Sequence, residues 1–267
     1  HKSAIVTKVG VDPLGEFVVN KLQSFGVDTS FVKVAESGLT PVVLASQDPP
    51  EDPKIIFHRQ PSAPDTQLIT SDIDDQTLKS AKNFWVSACA LSQGTTAESI
   101  FYWLEVRGRA KETIIDLDYR PSFWRSREDA RVAAQRALAH CTIAIGNIVE
   151  CDVALGLTDP NKAAEDLLNR GITLAIVKMG GEGVLLATKD KVHVVKPLPI
   201  KLVCGLGAGD AFGGALIHGL LSGWDLEKIG AFANAAGAYL ASELMCADAM
   251  PTLEILNKFI EEMGSNR

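Results

Sequence analysis

The 267-residue chain is 46% hydrophobic and 22% charged, an ordinary globular mixture with length for one large α/β domain or two small ones. Its formal net charge is −7 and no lysine or arginine stripe runs through it, which argues against nucleic acid or an anionic membrane as partner. No apolar run reaches the ~18 residues of a membrane span and no signal peptide opens the chain, so no membrane association is expected.

The opening stretch reads as strand then helix. From Phe31 to Pro64 the rhythm breaks into short β-like runs with many prolines, and an antiparallel flap or lid (31–64) is expected there. Next, "FWVSACAL" reads as a strand, and "TTAESIFYWLEVRG" as a helix with a capping box from Thr95 to Glu98 and a stop at Gly108. "TIIDLDY" and "CTIAIGN" read as strands flanking the helix "REDARVAAQRALAH". Asp159 and Pro160 open the helix "DPNKAAEDLLNRG" as N-cap and first residue. "LAIVKMG" and "GVLLAT" form a strand pair around a glycine-rich turn, "KVHVVKP" follows, and three helical segments end the chain. This βαβα alternation predicts a largely parallel sheet covered by helices on both faces.

The cysteines (Cys89, Cys141, Cys151, Cys204 and Cys246) are scattered without a CxxC pair, and no Asn-x-Ser/Thr sequon occurs. A reduced, cytoplasmic compartment is expected, with the cysteines as small core residues.

The run "VCGLGAGDAFGGALIHGL" concentrates glycine at a helix start, where each helical glycine costs roughly 0.5–1 kcal/mol relative to alanine. A Walker A loop is excluded because the chain has no Gly-Lys pair, a Rossmann fingerprint because Asp210 stands where its last glycine belongs, and a nucleophile elbow because GxSxG is absent. What remains is a glycine loop opening a helix with one acid in its first turn. Such amides bind anions and suit the charge on a phosphoryl group in transit, while the acid could take a proton from an attacking hydroxyl. The competing structural reading makes Asp210 an N-cap and the glycines a device for close helix packing.

These residues carry a resemblance. "GLGAGDAFGGALIHGLLSG" resembles the C-terminal signature of the ribokinase-like (PfkB) carbohydrate kinases. "VTKVGVDPLGEFVVNKLQSFGVDTSFV", "GNIVEC", "VKMGGEGVLL" and "FANAAGAYLAS" resemble further family segments in the same order, so the resemblance spans essentially the whole chain. It implies a single kinase domain over 1–267 with a ribokinase-like three-layer α/β/α sandwich, a largely parallel central sheet and a small β lid. "IDLDYRPSFW" and "FHRQPSAPD" narrow the resemblance to the sugar-acid branch. The expected activity is ATP-dependent phosphorylation of the terminal hydroxyl of 5-dehydro-2-deoxygluconate. The alternatives are 2-keto-3-deoxygluconate or another sugar as substrate, and a catalytically inactive sugar or nucleotide sensor on the same fold.

By this resemblance Asp210 is the general base, and the amides of Gly207, Ala208 and Gly209 form the anion hole. Asn147 and Glu150 hold Mg²⁺ through water; a helix cap is the structural alternative. Lys178, Gly180, Gly183 and Asn234 match nucleotide-side positions. Arg59, Arg120, Asp118 and Tyr119 match the substrate side, and two arginines suit a carboxylate because guanidinium grips it bidentately. Surface salt bridging is the structural alternative for that pair. ATP and Mg²⁺ are the implied cofactors, with room for a monovalent cation and for a homodimer through the lid. Family members begin with a strand and a Gly-Gly-x-x-x-Asn segment that this sequence does not contain, so an upstream segment is expected.

Overall fold

The computed structural model describes residues 1–51, 53–60, 62–109 and 112–265; positions 52 and 61 of the expected lid segment lie outside these. The chain divides into two compact units, His1–Val43 with Phe57–Ala175, and Leu44–Ile56 with Ile176–Arg267.

The first unit opens with β1 (Thr7–Val9), α1 (Pro13–Ser24) and β2 (Val32–Val34). Asp12 caps α1 by accepting from the Gly15 N–H, and Pro13 fills the first helical position, where its missing N–H costs nothing. β1 and β2 pair in parallel, with Thr7 opposite Val32 and Val9 opposite Val34. β3 (Val42–Ala45) and β4 (Ile55–His58) form a separate two-stranded sheet. Within the 31–64 segment, β2 therefore belongs with β1, contrary to one antiparallel flap, and β3–β4 is a distinct ribbon.

After α2 (Asp75–Ser80) come β5 (Asn83–Ser87), α3 (Gly94–Arg107), β6 (Glu112–Asp116), α4 (Arg127–Leu138) and β7 (Ile143–Asn147). α5 (Ile148–Leu155), α6 (Pro160–Asn169) and the start of β8 (Leu174–Lys178) complete the unit. β5, β6 and β7 lie side by side in parallel, with Trp85 opposite Ile114 and Ile114 opposite Ile143. Ile114, Ile115, Ala144 and Ile145 are fully buried, so these strands read as continuous apolar runs rather than alternating ones. Asp159 caps α6 by accepting from the Lys162 N–H, as its sequence predicts.

Three sequence expectations fail locally. "FWVSACAL" is strand only to Ser87; Ala88–Leu91 wind into a 3-10 turn, where the Cys89 thiol donates to the Asp118 carbonyl at 3.2 Å. α3 starts without a capping box, because Gly94 takes a positive φ and a Cβ there would lie 2.1 Å from the Thr66 carbonyl oxygen. The Thr96 hydroxyl instead donates to the Asp65 carbonyl and accepts from the Leu68 N–H. α5 has no place in the strand–helix alternation, and only the helix-cap alternative for Asn147 and Glu150 implies it.

Arg107, 5% exposed at the end of α3, places all five of its N–H donors. They go to the Thr113 hydroxyl and to the carbonyls of Leu78, Ala81, Lys82 and Glu112. A buried guanidinium is tolerated only with this complete set of partners.

The second unit takes up the last residues of β8, with β9 (Val184–Ala187) beside it and β10 (Val192–Val195) antiparallel to β9. Three helices follow: α7 (Ala208–Leu221), α8 (Leu226–Ala241) and α9 (Leu253–Ser265). A Cβ on Gly219 of α7 would lie 2.8 Å from Ile229 Cγ1, so this glycine serves helix packing. His218, Trp224 and Phe232 cluster beside that contact, Trp224 meeting the other two rings edge to face.

Candidate active site

In the second unit the glycine run becomes a tight loop ahead of α7. The Val203 and Cys204 N–H groups donate to the Ala241 carbonyl, and the Gly205 N–H to the Pro50 carbonyl at 2.8 Å. Gly207 is the N-cap in the left-handed region (φ 85), and no side chain caps the helix. Asp210 stands exposed in the first turn, so the simple N-cap reading does not apply to it.

The three candidate amides differ. The Ala208 N–H is directed at the Gly205 carbonyl at 3.3 Å, whereas the Gly207 and Gly209 N–H groups find no acceptor among the described residues. Donors at a helix start carry the positive end of its dipole. A Cβ on Gly209 would lie 3.5 Å from Lys178 Nζ, so the structure brings a lysine amine to these amides. This arrangement can accept an anion.

Lys178 ends β8, and Gly180–Glu182 form a 3-10 turn after it. The two turn glycines have different causes. A Cβ on Gly183 would lie 2.0 Å from the Val195 carbonyl oxygen, so hairpin packing requires that glycine; around Gly180 (φ 58) the space is open. Asn234 on α8 donates from Nδ2 to the Lys196 carbonyl at 3.1 Å. Cys246, which the sequence placed only among core cysteines, is half-buried, and its Sγ lies 3.3 Å from the Leu206 carbonyl oxygen. Burial pushes its thiol pKa up, with further contributions from Cys204 and Asp210.

In the first unit the arginines are held one nitrogen at a time. Arg59, just after β4, gives Nη2 to Asp65 Oδ2 at 2.7 Å, and its guanidinium lies 4.7 Å from the centre of the Phe123 ring. Arg120 pairs ionically with Asp118, Nε lying 3.0 Å from Oδ1, and Asp118 also accepts from the Ser87 hydroxyl at 3.2 Å. Nε and Nη1 of Arg59, and Nη1 and Nη2 of Arg120, have no partner among the described residues. Tyr119 is half-buried between Asp118 and Arg120.

Asn147 ends β7 and caps α5 reciprocally with Glu150. Its Oδ1 accepts from the Glu150 N–H at 2.9 Å, and Glu150 Oε2 accepts from the Asn147 N–H at 2.6 Å. The helix-cap reading therefore holds, but Glu150 is only 8% exposed rather than a surface acid. A capped amide and a carboxylate are hard oxygen donors that fit Mg²⁺, which keeps most of its own waters. No cluster of three or more acidic, histidine or cysteine ligands occurs among the described residues.

Sequence reasoning missed Asp65, Phe57 and Phe123. "FHRQPSAPD" and "YRPSFW" contain all three, but nothing in a linear pattern announces that an aromatic ring will lie under a distant arginine.

Comparisons with known proteins bear on this geometry. The family described as pfkB family carbohydrate kinase matches residues 1–253. A 5-dehydro-2-deoxygluconokinase of Geobacillus thermodenitrificans is 31% identical over 273 residues, covering 100% of this chain and 81% of its own length. A fructokinase double mutant of Vibrio cholerae, crystallised with fructose, ADP and potassium, is 25% identical with a TM-score of 0.84, covering 96% of this chain and 84% of that one. An E. coli protein assigned as ribokinase II, crystallised with ATP and Mg²⁺, is 22% identical with a TM-score of 0.87, covering 98% of this chain and 83% of that one.

Proposed function

Because the chain belongs to the pfkB family of carbohydrate kinases and has the ribokinase-like α/β fold, we propose that it phosphorylates the terminal hydroxyl of 5-dehydro-2-deoxygluconate with ATP, in the cytoplasmic breakdown of inositol. The observation that carries the choice of an acid is the pair Arg59 and Arg120. Each is fixed by one intramolecular carboxylate and keeps two N–H-bearing nitrogens open, the arrangement a substrate carboxylate needs. The relative's own name supports the same substrate.

In this reading the whole chain works as one kinase domain, with the lid within 31–64 available for a homodimer. Asp118 and Tyr119 orient the sugar beside Arg120. Asp210 takes the proton from the terminal hydroxyl as its oxygen attacks the γ-phosphorus, and the bond from phosphorus to the β-phosphate oxygen breaks. The amides of Gly207, Ala208 and Gly209 meet the phosphoryl oxygens; the open donors of Gly207 and Gly209 carry most of this work. Lys178 adds a positive charge beside Gly209, while Gly180, Gly183 and Asn234 form the nucleotide side. Asn147 and Glu150 would hold Mg²⁺ through its waters, and the ion would neutralise phosphate charge. A monovalent cation remains part of the proposal through the potassium of the fructokinase neighbour.

ADP release tests the reading across 5-dehydro-2-deoxygluconate, 2-keto-3-deoxygluconate, fructose and ribose, with Arg59→Met and Arg120→Met beside wild type. Each arginine change should lower kcat/KM for the acid by ~10–150-fold, the worth of a charge-assisted contact, with little change for neutral sugars. Ribose as the better substrate, or equal losses on all sugars, refutes the acid assignment. No ADP release with any sugar refutes the enzyme and favours a sensor.

A further inference from the structure

Arg59 and Arg120 lie on segments far apart in sequence, and one side chain joins them. Phe123 ends the 3-10 turn Pro121–Phe123 that begins directly after Arg120, and its N–H donates to the Arg120 carbonyl at 2.9 Å. Its ring carries the Arg59 guanidinium, with Arg59 Cζ 4.7 Å from the ring centre. Phe57, the residue two before Arg59, meets the same ring edge to face, with centroids 4.7 Å apart and planes at 69°. The Gln93 side chain donates to the Phe123 carbonyl at 2.9 Å and ties the turn to the start of α3. Asp65, whose carbonyl accepts from the Thr96 hydroxyl of α3 at 2.8 Å, binds the edge of the guanidinium at Nη2.

We propose that Phe123 is the positioning residue for recognition of the substrate's carboxylate: its ring fixes the plane of the Arg59 guanidinium while Asp65 fixes one nitrogen. Nε and Nη1 are then left facing a ligand in a defined orientation beside Arg120. This rests on the sugar-acid reading above. The physical effect is preorganisation. A free arginine side chain carries large rotamer entropy that a ligand would otherwise have to freeze, and a guanidinium over an aromatic face is held by electrostatic attraction to the ring. Because the ring belongs to the Arg120 turn, any displacement of that turn moves both arginines together.

The test is a kinetic cycle with 5-dehydro-2-deoxygluconate and ATP on the intact chain. Phe123→Leu, which keeps apolar bulk and removes the π face, should raise KM for the acid about 3–30-fold with little change in kcat. Phe123→Tyr, which keeps the face, should restore wild-type KM. In an Arg59→Met background, Phe123→Leu should cause no further rise, because the residue it positions is gone. Melting curves of all variants report whether each is folded. An unchanged KM in folded Phe123→Leu, or the same added loss with and without Arg59, overturns the proposal while leaving the sugar-acid reading standing. If Arg59→Met itself leaves KM for the acid unchanged, the sugar-acid reading fails and takes this one with it.

Discussion

Gly207 and Gly209 stand two residues apart in the same loop but differ in backbone conformation and surroundings, and paired alanine substitutions separate conformational need from the proposed phosphate contact. Gly207 has φ 85 and ψ −9, a left-handed conformation that costs a non-glycine residue ~1–3 kcal/mol. Its new Cβ would also sit 3.0 Å from Leu240 Cδ2 and 3.4 Å from Cys246 Cβ, so the neighbours must give by a few tenths of an ångström. At about 2–4 °C per kcal/mol for a chain near this size, Gly207→Ala should melt roughly 3–10 °C lower. Gly209 is helical, and its new Cβ would meet only Lys178 Nζ at 3.5 Å, an ordinary contact. Gly209→Ala should melt at or slightly above wild type, by up to ~1 kcal/mol of helix preference. The methyl would, however, occupy the space between the first-turn amides and the lysine amine, where the transferring phosphoryl group is proposed to lie. Losing one such donor set should lower kcat by ~10²–10³-fold. Thermal melting and ADP release read both quantities. A stable Gly209→Ala enzyme with full kcat would refute the phosphate role of this helix start.

Asp210→Asn should bind ATP almost as wild type but lose ~10²–10⁴-fold in kcat, since the near-isosteric amide removes only proton acceptance; ATP titration and steady-state rates separate the two effects. Arg107→Met should destabilise by about 3 kcal/mol or more, because it strips partners from four backbone carbonyls and the Thr113 hydroxyl, and denaturant titration measures it. The Asp12 carboxylate is held below its ordinary pKa of 3.8, first by the Thr40 N–H, which outweighs an opposing push from burial, and then by the Gly15 N–H. Its contribution is present above about pH 3.8 and is lost as pH falls through the depressed folded value. Melting temperature against pH should therefore fall less steeply in the acid limb for Asp12→Asn, and an unchanged limb would refute the linkage.

Much of the chemistry was local enough to read from the chain. The glycine run with Asp210 announced a helix start, because helix-opening N–H groups are a local feature, but whether Asp210 capped it was left open until the structure placed Gly207 at the N-cap with no side-chain cap. The Asp159–Pro160 pair announced α6 for the same reason, since capping involves residues three apart. The Asn147–Glu150 pair was visible too, since its three-residue spacing is that of the capping box the structure shows. What lay beyond the sequence is long-range. The start of α3 was set by the Thr66 carbonyl pressing on Gly94, not by Thr95 and Glu98. The need for glycine at 183 came from Val195, whereas the open space at Gly180 could not be distinguished from it in a string of glycines. Above all, the Phe123 ring under Arg59 depends on a loop after β4 meeting a turn after β6. Local hydrogen bonding is encoded within a few residues, but which distant surfaces press together is decided only when the strands pair and the core closes.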